Sequence, residues 1–70
     1  MKPVYTSQRQ VRAAFWAAFP HFDEQARAAG IRSKRQNAHS ATLRCAFADF
    51  VDSLERDGEI SSALAARVTL

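Results

Sequence analysis

The stretch "LRCAFADFVDSL", Leu43 to Leu54, decides the fold. Leu43, Ala46, Phe47, Phe50, Val51 and Leu54 recur at i, i+3, i+4, i+7, i+8 and i+11, the spacing that returns side chains to one face of a helix. Arg44, Asp49, Asp52, Ser53, Glu55 and Arg56 occupy the other faces. Ser40 or Thr42 is placed to cap the start, and Gly58 to close the end. A helix is therefore expected over about residues 41–57.

Upstream, Ser7 with Gln10 three residues on matches a capping box, in which each side chain satisfies a backbone donor at the helix start. Val11, Ala14, Phe15, Ala18 and Phe22 then share one face. Pro20 lacks a backbone N–H and disfavours helical geometry at Phe19, so this helix, residues 7–19, ends or kinks there. A shorter one is expected over 22–29. Asp23 and Glu24 suit its positive end, Arg27 its negative end, and Gly30 its left-handed termination. A last helix, 61–68, is capped by Ser61, with Ile60, Leu64 and Val68 as its apolar ridge. With no convincing alternating strand, the chain reads as one all-α domain over residues 1–70, a three- to four-helix bundle. Residues 1–6 are expected to be loose, and residues 30–40 to form a basic connection.

At 70 residues the chain needs good packing or a partner subunit to be stable. Cys45 is its single cysteine, so it has no internal disulfide. No cysteine or further histidine lies at metal-ligand spacing from His21 or His39. No run approaches a membrane span and no secretory signal is visible, so a cytoplasmic protein is expected. In the loop around Gly58, a calcium site would need an oxygen ligand at Ser53's place and a bidentate carboxylate at Leu64's. The twelfth-place carboxylate is missing. Cys45 lies near Asp49 and Asp52, whose charges would raise a thiol's pKa and make it less reactive. No phosphate loop, nucleophile elbow or zinc-protease motif occurs. The expectation is a non-enzymatic protein with no cofactor and no metal.

The net charge of +3 hides an asymmetry. Residues 1–48 carry +6 and residues 49–70 carry −3. The basic side is densest in "GIRSKRQNAHS", residues 30–40, with Arg32, Lys34 and Arg35. A helix-turn-helix is partly matched by Ala26, Gly30, Ile31 and Ser33, but the positions that should dock its second helix hold Gln36 and His39. A polar connection fits better. Its cations, with Arg44, either neutralise nucleic-acid phosphates without reading sequence or turn back onto Asp49, Asp52 and Glu55. Trp16, beside Arg12 on the flank of the first helix, is either buried by the helical arrangement or an anchor at a partner or dimer interface.

The C-terminal third, "FADFVDSLERDGEISSALAARVTL" (residues 47–70), resembles the end of small uncharacterised all-α proteins encoded on bacterial mobile elements and genomic islands. Phe15–Trp16 and the "RQN" of Arg35 to Asn37 add to the likeness, which covers about half of the chain. The resemblance implies a bacterial accessory protein and no mechanism. Two functions stay open. One is a small binding module for nucleic acid, using Arg32, Lys34, Arg35 and Arg44. The other is a protein-interaction or homodimerisation module using Trp16, Arg12 and the neighbouring aromatic face.

Overall fold

The computed structural model describes residues 4–32, 34, 35 and 38–70. Four helices follow in order: α1 (Gln8–Ala18), α2 (Pro20–Ala28), α3 (Ala41–Arg56) and α4 (Ser62–Ala65). The described residues contain no strand, and the protein is all-α. No helix among them is long and apolar enough to cross a membrane.

The ends of the helices follow from local chemistry. Ser7 accepts from the Gln10 amide while the Gln10 side chain accepts from the Ser7 amide, completing the expected box. Pro20 does more than stop α1. It occupies the first position of α2, where its missing N–H costs nothing, so α2 starts two residues earlier than periodicity suggested. Ser40, rather than Thr42, caps α3, and Ser61 caps α4. α4 is a single turn and stops at Ala65, short of the expected 68. The chain then turns to bury Val68 and Leu70.

The core forms where α1, α2 and α3 meet. Phe15 is fully buried, and its ring lies 5.1–6.3 Å from those of Trp16, Phe19, Phe22, Phe47 and Phe50. Contacts with Trp16, Phe47 and Phe50 are edge-to-face, the arrangement that sets a positive ring edge against a negative face. Val51, Leu54, Ile60, Leu64, Val68 and Leu70 extend this core toward the C-terminus. At the N-terminus, the Val4 and Tyr5 amides both donate to the Glu59 carbonyl, at 2.8 and 3.0 Å. The segment expected to be loose is thus tied down from residue 4; residues 1–3 lie outside the described part.

Residues 31–40 form the connection between α2 and α3, and none of its described residues is α-helical. Two turns shape it, Lys34 N–H to Ile31 O and Ala38 N–H to Arg35 O. Ser33, Gln36 and Asn37, which carried part of the helix-turn-helix match and of the family likeness, lie outside the described residues. The connection folds back over the flank of α1, and this placement builds the site.

Candidate functional site

Arg9, Arg12, Ala13 and Trp16 share one face of α1, at i, i+3, i+4 and i+7. This face points away from the Val11–Phe15 core stripe. Periodicity alone would leave Trp16 at the surface, yet it is only 5% exposed. The connection covers it. His39 packs with its ring 5.7 Å from the indole, and the Arg32 guanidinium carbon sits 4.5 Å above the indole centroid. That stacking places a cation over the negative face of the ring.

Arg32 is held from a second direction. Its Nε donates to Asp23 Oδ1, and Asp23 Oδ2 accepts from Arg27 Nε at 3.1 Å. The Arg32 hydrogen bond is the main reason the Asp23 carboxyl sits below the usual carboxylate range. Partial desolvation opposes this shift, and Arg27 adds to it. Asp23 takes the Nε of Arg32, and among the described residues no hydrogen bond engages the terminal nitrogens of Arg32. Arg12 is fixed in a similar way, donating from Nε to the Thr69 carbonyl and from Nη2 to Gln8 Oε1 at 2.9 Å.

His39 is the one polar residue in the core among the described residues, at 4% exposure. Its Nε2 lies 3.1 Å from the Lys34 carbonyl oxygen. A carbonyl only accepts, so in the neutral ring Nε2 carries the hydrogen and Nδ1 a lone pair. Nδ1 is buried and has no hydrogen-bond partner among the described residues. The Nε2 bond pins the connection at Lys34, next to Arg35.

Together these groups line a cleft of about 810 Å³. Arg9 and Arg12 come from α1, and Arg32, Lys34 and Arg35 from the connection. Trp16, His39, Ala13 and Leu70 also contribute to its surface. Among the described residues, no carboxylate side chain lines it. The nearest acidic partner, Asp23, is already engaged with two arginines.

Of the four cations singled out in the sequence, the structure brings Arg32, Lys34 and Arg35 together and leaves Arg44 apart. Arg44 lines a smaller groove of about 390 Å³ with Phe47, Val51, Asp52, Glu55 and Val68. Among the described residues, the cations of the connection form no ion pair with the acidic face of α3. Among the described residues Arg32 pairs with Asp23, and Asp52 with Arg56. Arg12 and Trp16, the pair of the alternative interface reading, both line the cleft, where Trp16 is buried. Arg9 was missed by sequence reasoning. Its spacing to Arg12 and Trp16 was visible, but no periodic signal showed that the connection would lie over that flank.

Comparison with protein-family models, with curated proteins and with solved structures finds no match for this chain.

Proposed function

We propose that the chain is a small, non-enzymatic, cytoplasmic binding module of a bacterial accessory kind, a three- to four-helix bundle that holds nucleic-acid phosphates in this cleft. One observation carries the proposal: Arg9, Arg12, Arg32, Lys34 and Arg35 converge on a cleft whose described lining has no carboxylate side chain. Like charges lining one cleft repel one another, and bound anions relieve that repulsion. Arg12 and Arg32 are also held in place before any ligand arrives, so less side-chain freedom is lost on binding. Contacts of this type position a polyanion and carry no sequence information.

Binding of a fluorescently labelled nucleic acid, followed by anisotropy over a salt series, tests the proposal. With about four phosphates neutralised, log K falls against log salt with a slope of roughly −3.6. Lys34→Gln combined with Arg35→Gln weakens binding and flattens the slope by roughly 2. Arg44→Gln changes neither. Absence of binding at low salt, or binding indifferent to Lys34 and Arg35, refutes the proposal. Sedimentation addresses the interaction-module alternative: the burial of Trp16 leads us to expect a monomer.

A further inference from the structure

We infer that the polyanion held in the cleft is a duplex, gripped by its backbone, rather than a single strand. This rests on the nucleic-acid reading above and specifies its ligand.

The first support is the position of the aromatic residues. Single-strand binders combine a cationic groove with exposed rings on which successive bases stack. This chain has five Phe, one Trp and one Tyr, and all seven lie among the described residues. Phe15 and Phe47 are in the core, while Tyr5, Phe19, Phe22 and Phe50 pack against it. Trp16 is the only one of them that lines the cleft. Its indole is buried, and the Arg32 guanidinium occupies the face that a base would need. Asp23 holds that guanidinium in place.

The second support is charge. What the cleft offers a ligand is chiefly five cations supplied by two separate segments, α1 and the connection. Such a surface favours the polyanion with the denser charge. A duplex carries one negative charge per roughly 1.7 Å of axis, about twice the linear density of one strand, and releases more counterions per phosphate contacted. With no open Phe, Tyr or Trp ring in the cleft to compensate, a single strand is the weaker ligand.

The test uses a short mixed-sequence DNA duplex, an RNA duplex, and each DNA strand alone, titrated against the intact protein. Anisotropy of the nucleic acid and emission of Trp16 are both read. Both duplexes are expected to bind at least roughly tenfold more tightly than the strands. Trp16 emission should change little, because Arg32 stays over the indole. Single strands that bind as tightly as the duplexes, or that quench Trp16 strongly, overturn the duplex inference. They leave the nucleic-acid reading standing if Arg9→Gln with Arg12→Gln abolishes their binding. Failure of every probe to bind at low salt, or binding unchanged in that double variant, overturns both.

Discussion

Asp23 joins two guanidinium groups through one carboxylate, Arg27 on its own helix and Arg32 on the connection. Its pKa is lowered, chiefly by the Arg32 hydrogen bond. A carboxyl with a depressed folded-state pKa contributes stability above its unfolded-state pKa, and that contribution is lost as pH falls through the folded-state value. The wild type is therefore expected to lose stability below about pH 4 more steeply than Asp23→Asn. Urea unfolding of both proteins at neutral and acidic pH checks this; parallel acid profiles would remove Asp23 from the account. The charges of Asp23 and Arg32 were plain in the sequence, but their partnership was not. They lie nine positions apart across a helix end, and no helical spacing links them. Trp16 shows the same limit. Its angular position on α1 was legible, whereas its burial depends on an irregular segment that has no period to read.

At the scale of elements, two matching turns place the site and the C-terminal part of the core. After α2, the Ile31 amide donates to Ala26 O and the Gly30 amide to Arg27 O. After α3, the Glu59 amide donates to Leu54 O and the Gly58 amide to Glu55 O. Both are Schellman motifs, and both need a left-handed residue, which Gly30 (φ 73°) and Gly58 (φ 76°) supply. The first motif turns the chain so that Ile31 and Arg32 return toward α1. An added Cβ at Gly30 meets nothing within 4 Å, so any cost comes from the backbone conformation. Gly30→Ala should lower stability by about 1–2 kcal/mol in denaturant unfolding, and Gly30→Asn by less. No loss with Ala would contradict this view of the turn. The caps and glycines were legible because their chemistry is local. The early start of α2 and the single turn of α4 were less so. In the first, Pro20 both ends one helix and begins the next. In the second, burial of Val68 and Leu70 overrides a short apolar ridge.

Across the whole molecule, the fold turns a linear charge asymmetry into a local one. The described basic residues of the first two-thirds of the chain do not form one face. Arg9 and Arg12 join the connection, Arg27 pairs with Asp23, and Arg44 stands in a groove that also holds Asp52 and Glu55. Net charge indicated that an acidic partner was worth considering; only the packing of the connection on α1 shows where five cations meet without an acidic side chain among them. The central claim is that this cleft is the binding surface. It is tested most directly by titrating the isotopically labelled protein with a short duplex and following its amide, indole and arginine Nε resonances by NMR. The account predicts shifts concentrated at Arg9, Arg12, Arg32, Lys34, Arg35 and His39, with Arg44 and Cys45 unmoved. Shifts centred on the α3–α4 groove, or none at low salt, would contradict it.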